Sequence, residues 1–162
     1  MKIELTTRQA ALCDGAILKE IIDLSFPRFF RFFATHSINS EEGKVLVGEE
    51  HTTIVGFAKL IDFCVADKKY GCVLWIAVHP NHRREGIASA LVKASVEDLK
   101  RNGARAVFAS VQRRNKASLA TFAREDFGRM GVVGLWRLFG WRIFQFYGDI
   151  WFAPGEVMLL HV

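Results

Sequence analysis

The stretch VHPNHRREGIASALVK, Val78 to Lys93, closes an apolar strand, turns through a proline and two arginines, passes one glycine and begins a helix of small residues. The first backbone N–H groups of a helix lack partners, and that end carries a partial positive charge. Gly86 removes the side chain that would hold a ligand off the turn. Ala88 keeps the next approach open, and Arg83 and Arg84 add long-range attraction. Such a start suits a pyrophosphate; a merely solvated helix start is the competing reading. The pattern G-x-x-x-x-G-K-[S/T] is missing, and so is G-x-G-x-x-G, which disfavours a nucleotide triphosphatase and a dinucleotide oxidoreductase.

The chain has 162 residues, 51% hydrophobic and 24% charged. These values predict one globular domain over residues 1–162 with a full core. A net charge of +5 favours an anionic partner such as a phosphorylated cofactor, a membrane surface or nucleic acid. No nucleic-acid-reading element is recognised, and no nucleic-acid partner is expected. Cys13, Cys64 and Cys72 are odd in number and contain no C-x-x-C pair, so the expectation is buried free thiols in the cytoplasm, with no disulfide framework and no metal. The start MKIELTTRQA lacks the apolar run of a secretory leader. Arg137, Arg142 and Asp149 interrupt the most apolar late segment, 131–152, and no transmembrane segment is expected.

Residues 2–8 read as a strand, and Asp14 as the N-cap of a helix over GAILKEIIDL. Pro27 suits the first turn of PRFFRFFATH. Phe26, Phe29, Phe30 and Phe33 share one face of that helix by their i, i+3, i+4, i+7 spacing. For Phe29 and Phe33 a core-facing role is preferred. KVLVGEE, TTIVGFAKLIDF and YGCVLWIAVHP read as three strands in succession, the last central in the sheet. A helix ending at Asn102-Gly103, the strand RAVFASV, the helix NKASLATFAREDF and the final strand EVMLLHV follow. Before that strand, 134–151 reads as one amphipathic helix. Leu135, Trp136, Phe139, Ile143, Phe146, Tyr147 and Ile150 form its apolar side, opposite Arg137, Arg142, Gln145 and Asp149. The expected fold is therefore α/β of the α+β type: a mixed, mostly antiparallel sheet of about seven strands flanked by helices, with this extra amphipathic helix before the last strand.

Arg83-Arg84-Glu85-Gly86-Ile87-Ala88 resembles the R-x-x-G-x-A acetyl-CoA motif of the GNAT superfamily of N-acetyltransferases. The strand LWIAV before it and the segment RRNKASLATFAREDF after it extend the resemblance over most of the chain. The resemblance implies that backbone groups of Ile76, Ala77 and Val78 bond the pantetheine arm by strand addition, where the fourth and fifth strands splay. It also implies that Arg83, Arg84, Glu85, Gly86, Ile87, Ala88 and Ser89 surround the pyrophosphate, and that Asn115 contacts the cofactor. The implied reaction is acetyl transfer from acetyl-CoA to a primary amine by direct attack in a ternary complex.

The family's usual acid and base are absent. Phe122 stands where a tyrosine often returns a proton to the thiolate, and Ser110 where relatives acting on protein N-termini carry a base. Tyr147 is a candidate replacement acid, although a core or interface tyrosine is the preferred reading. Glu49, Glu50, His36 and His79 are candidate bases. Phe26-Pro27 is similar to the F-P step of relatives that acetylate protein N-termini, so a protein or peptide N-terminus is the expected acceptor and these two residues are expected to line its site. An α-amino group, with a pKa of about 7.7–8.0, is already partly neutral near pH 7 and makes little demand on a base. A small-molecule amine acetyltransferase and a CoA-binding regulatory protein without turnover are the alternatives. The segment 134–151 has three readings: a lid, a homodimer contact or a membrane-surface anchor. Packing on the sheet or on a second subunit is preferred, because two arginines are few for lipid binding.

Overall fold

The computed structural model describes residues 5–150 and 155–162. Seven strands are hydrogen-bonded in the order β1-β2-β3-β4-β5-β7-β6. The mixed, mostly antiparallel sheet flanked by helices thus matches the expectation. The chain divides into two compact units, Met1–Ile61 with Trp75–Ser95 and Asp62–Leu74 with Val96–Val162.

The first unit holds β1 (Thr6–Gln9), α1 (Gly15–Ser25), α2 (Arg28–Asn39) and β2 (Lys44–Glu50). It also holds the first part of β3 (Thr53–Val65), the last part of β4 (Lys68–Val78) and the start of α3 (Ile87–Arg101). Residues 2–4 of the expected first strand lie outside the described residues. β2 pairs antiparallel with β1 on one side and β3 on the other, with a bulge at Gly48/Glu49. Its core joins Leu18, Ile21 and Ile22 of α1 to Ala34 of α2, Val45 and Val47 of β2, Ile54 and Phe57 of β3, and Ala77 of β4.

One residue of the phenylalanine stripe, Phe29, is a correction, while Phe26, Phe30 and Phe33 are half-buried. Phe29 is 70% exposed, and Ala34 is the buried residue of this helix. Periodicity says which side chains share a face; it does not say which face turns inward. Here the small side chain faces the core and the large rings meet one another, Phe29 against Phe30 and Phe33 at 5.5 and 5.1 Å.

Asp14 also departs from expectation: it precedes α1 without capping it by a side-chain bond. Its carboxylate instead accepts from the Ala11 amide at 2.7 Å and from both terminal nitrogens of Arg8 at 2.7 and 3.2 Å. The Arg8 guanidinium, then the Ala11 amide, hold the Asp14 carboxyl below its ordinary value. A group whose pKa is lowered by folding contributes stability above its unfolded pKa of about 3.9. That contribution is lost as pH falls through the folded value. The acid limb of wild-type stability is therefore expected to steepen below pH about 4. Asp14→Asn should flatten that limb and lower stability at pH 7, as read by denaturant melts from pH about 2 to 7.

The second unit is built around β5 (Val107–Gln112). It pairs in parallel with β4 over Gly71–Val73 and antiparallel with β7 (Glu156–His161), which also takes the two-residue β6 (Gly128–Arg129). The parallel step needs a crossover, and α3 provides it. α4 spans Lys116–Arg124. The single helix expected over 134–151 is two helices, α5 (Val132–Phe139) and α6 (Ile143–Asp149), joined by a 3₁₀ turn at Gly140. Gly140 adopts φ +54°, which ends α5; the end of the expected helix, at Trp151, lies outside the described residues. Leu135, Phe139, Ile143, Phe146 and Ile150 are buried as expected, and Trp136 is not. Phe139 and Phe146 stack on one another, Phe146 meets Phe108 edge to face, and Tyr70 and Phe63 complete an aromatic core with ring centroids 4.7–6.0 Å apart. Cys72 is buried as expected, and burial pushes its thiol up. Cys13 and Cys64 are exposed, contrary to expectation: Cys64 sits where β3 alternates outward, and Cys13 lies in a surface 3₁₀ turn.

Candidate functional site

Strand β4 delivers the chain to the opening stretch. Ala77 and Val78 are buried and Ile76 is half-buried. The parallel ladder of β4 with β5 ends at Val73, short of all three. The Val78 carbonyl accepts from the Ser25 hydroxyl at 3.4 Å and from Arg83 Nε at 3.3 Å, while Arg83 Nη2 donates to Ser25 Oγ at 3.3 Å. The Arg83 side chain thus ties the end of α1 to the end of β4, leaving its backbone to shape the turn.

The turn is defined by two left-handed residues, Arg84 at φ +68° and Gly86 at φ +83°. Turns of this kind aim successive N–H groups into one concavity, a form suited to anions. Ile87 is 2% exposed and packs with Val55, Val78 and Leu91, which anchors the first turn of α3. Ala88 is half-buried against that cluster and Ser89 is half-buried beside it. A Cβ placed on Gly86 would meet no protein atom within 4 Å. The glycine is therefore required by its backbone angle, and the space beyond it is open to a ligand. α3 has no acidic residue in its first turn and carries Lys100 and Arg101 in its last, the polarity that leaves its N-terminus attractive to phosphate. The residues present fit a diphosphate.

Glu85, at the centre of the turn, lies beside two polar side chains. His82 Nδ1 lies 3.2 Å from a Glu50 carboxylate oxygen and 3.6 Å from one of Glu85. These three side chains each bring one ligating atom within 4.8 Å of the others. The cluster sets the turn beside the end of β2. Of the other candidate bases, Glu49 is bound by Arg8, and His79 accepts from the Asn81 amide. His36 is exposed and stacks on Phe32.

Pro27 caps α2. Phe26 sets its ring edge-on to Trp75 of β4 at 5.4 Å, with Phe30 on the same indole at 6.4 Å. Its carbonyl accepts from Arg31 Nε at 2.7 Å. Trp75 was not among the sequence-predicted site residues. Its position next to Ile76 was the available signal, but its pairing with Phe26 needed the packing of β4 on the first unit's helices.

In the second unit, Asn115 is the N-cap of α4, its Oδ1 accepting from the Ser118 amide at 3.1 Å. Phe122 is 2% exposed with its ring against Phe127 at 5.0 Å. Tyr147 is half-buried on α6 with its ring 5.7 Å from Phe146. The Ser110 hydroxyl donates a short hydrogen bond to the carboxylate of Glu156. This brings an acid to the strand position that itself lacks one. Sequence reasoning missed Glu156 because the pair is 46 residues apart and meets only through the β5–β7 register.

The chain matches the model of the "Acetyltransferase (GNAT) family" over residues 16–128. Its fold is similar to the ribosomal-protein-S18-alanine N-acetyltransferase of Escherichia coli at 18% identity, with 96% of this chain and 92% of that one covered and a TM-score of 0.66. A putative acetyltransferase of Desulfovibrio desulfuricans matches at 16% identity, 96% of each chain and a TM-score of 0.72. An acetyltransferase of Bacillus subtilis in complex with CoA matches at 15% identity, 97% of each chain and a TM-score of 0.70. At these identities the likeness speaks for the fold alone. No match was found among curated proteins.

Proposed function

Since the chain belongs to the GNAT family of acetyltransferases, we propose that it transfers the acetyl group of acetyl-CoA directly to a primary amine in a ternary complex, and that the amine is a protein or peptide N-terminus. The observation that carries the donor half is the open turn at Gly86, where a left-handed glycine faces free space beside the anchored N-terminus of α3. Arg84 to Ser89 would hold the diphosphate by backbone amides, and backbone groups of Ile76 and Ala77 would carry the pantetheine arm. The Val78 carbonyl is already taken by Ser25 and Arg83, so its share is smaller than the motif alone implies. When bound, acetyl-CoA supplies an activated thioester. The chain's task is then to position a neutral amine against it, since attack on a thioester is governed mainly by orientation and carbonyl polarisation.

The acceptor half rests on Phe26, Phe30 and Trp75, whose rings make an apolar wall suited to a first side chain such as methionine. By its name the E. coli neighbour is an N-acetyltransferase of an alanine of ribosomal protein S18; alanine has no side-chain amine, which agrees with an α-amino acceptor. A second reading, CoA binding without turnover, is favoured by Phe122, which is buried in the core and has no proton to give.

Acetyl-CoA and CoA are expected to raise the melting temperature, and thiol release is expected with peptides bearing a free N-terminus in preference to lysine side chains. Stabilisation with no thiol release from any peptide or amine would favour the second reading. No stabilisation by either nucleotide would overturn both.

A further inference from the structure

The segment α5–α6 has two apolar faces. The inner one, Leu135, Phe139, Ile143 and Phe146, is buried. On the outside stand Val132, Val133, Trp136, Leu138, Trp141 and Phe144, exposed by 43–79%. Trp136 and Trp141 meet edge to face at 5.2 Å across the break at Gly140, so α5 and the 3₁₀ turn present these two indoles together. Clustered exposed apolar side chains of this size mark an interaction surface.

Charge decides what covers it. Residues 127–149 contain Arg129, Arg137 and Arg142 and one acid, the half-buried Asp149 at the end of α6. All three arginines are exposed, and among the described residues neither Arg137 nor Arg142 takes part in an ion pair. A symmetric pair of copies would bring the same patch to itself, setting two exposed arginines against two, with only the half-buried Asp149 in the segment to match them. Single-stranded nucleic acid would use the indoles for stacking but leaves Val132, Val133 and Leu138 without a role. An anionic bilayer surface uses all of these groups: aliphatic side chains enter the acyl boundary, indoles sit at the headgroup level, and arginines reach lipid phosphates. We propose that the outer face of α5–α6 docks this protein peripherally on anionic lipid membranes. No helix among the described residues is long and apolar enough to cross one.

The test is flotation of the full chain with vesicles of phosphatidylglycerol mixed with phosphatidylcholine, against phosphatidylcholine alone. Binding is expected to the anionic vesicles, weakening as salt rises. Tryptophan fluorescence should be quenched by lipids brominated near the headgroup end of the acyl chain, a readout that needs no variant. Trp141→Ser with Phe144→Ser removes two outward side chains and should lower partitioning by at least tenfold. Arg137→Gln with Arg142→Gln should lower it about 30-fold, from roughly 1 kcal/mol for each arginine near an anionic surface. The proposal is overturned by failure to bind anionic vesicles without brominated-lipid quenching. It is equally overturned by light scattering that shows a dimer lost in the Trp141/Phe144 variant, or by RNA binding lost in that variant, without vesicle binding.

Discussion

Gly86→Val is expected to cost at least about 100-fold in acetyl-CoA affinity while the protein still folds. The backbone at Gly86 is left-handed, at φ +83°, and a β-branched residue there costs about 1–2 kcal/mol. For a chain of this length that lowers the melting temperature by roughly 2–8 °C. No protein atom lies within 4 Å of the added Cβ, so the new side chain disturbs the space outside the protein and leaves the core alone. A diphosphate held by backbone amides makes charge-assisted hydrogen bonds of about 1.5–3 kcal/mol each. Losing two of them gives the stated factor. The measurement is the acetyl-CoA-induced shift in melting temperature, titrated for both proteins. An unchanged concentration dependence in the variant would show that the diphosphate binds elsewhere.

Gly43→Ala should produce the largest loss of stability among single-methyl substitutions. Gly43 has φ +69°, and an added Cβ would stand 2.0 Å from the Leu60 carbonyl oxygen and 2.9 Å from an Ile61 methyl. The oxygen belongs to β3, in register with Lys44, so it cannot move without breaking the β2–β3 ladder. The same turn covers Lys59, a 1%-exposed lysine whose ammonium donates to the carbonyl and hydroxyl of Ser40 at 3.4 Å. Burial lowers the pKa of Lys59, and only Glu42 opposes this. Lifting the turn would therefore also unpair a buried cation. Left-handed strain and overlap together give about 3 kcal/mol or more, roughly 6–12 °C in melting temperature. Gly15→Ala, at the start of α1 with nothing within 4 Å of its Cβ, is the control and should be neutral or slightly stabilising. Equal melting temperatures for Gly43→Ala and the control would contradict the assigned turn geometry.

Much of this was legible in the chain because it is local. Strand β2 begins and ends at Lys44 and Glu50 as its apolar run predicts. α3 stops before Gly103, whose φ of +94° is the left-handed stop that a glycine after a helix signals. The motif from Arg83 to Ala88 needs only a strand end, a turn and a helix start, all within a dozen residues, and so its shape could be foreseen. Where the Arg83 side chain goes could not. Its partner Ser25 is 58 residues away, and long-range attraction to phosphate was the simpler expectation.

The apolar faces show the same division. On α2 and on 134–151, spacing grouped the side chains correctly, yet Phe29 and Trp136 proved exposed. Hydrophobic periodicity is a property of one helix, whereas burial depends on what that helix meets. A segment with apolar residues on more than one side gives no local reason to prefer either. The sequence by itself determined the order of the first five strands and four helices, the glycine turn that opens α3 and the family. Only the tertiary structure decided which rings turn inward, which arginine is spent on holding β4 to α1, and that Glu156 stands at Ser110. Those outcomes are set by contacts between residues far apart along the chain, and the energy of such contacts is not written in any short window of it.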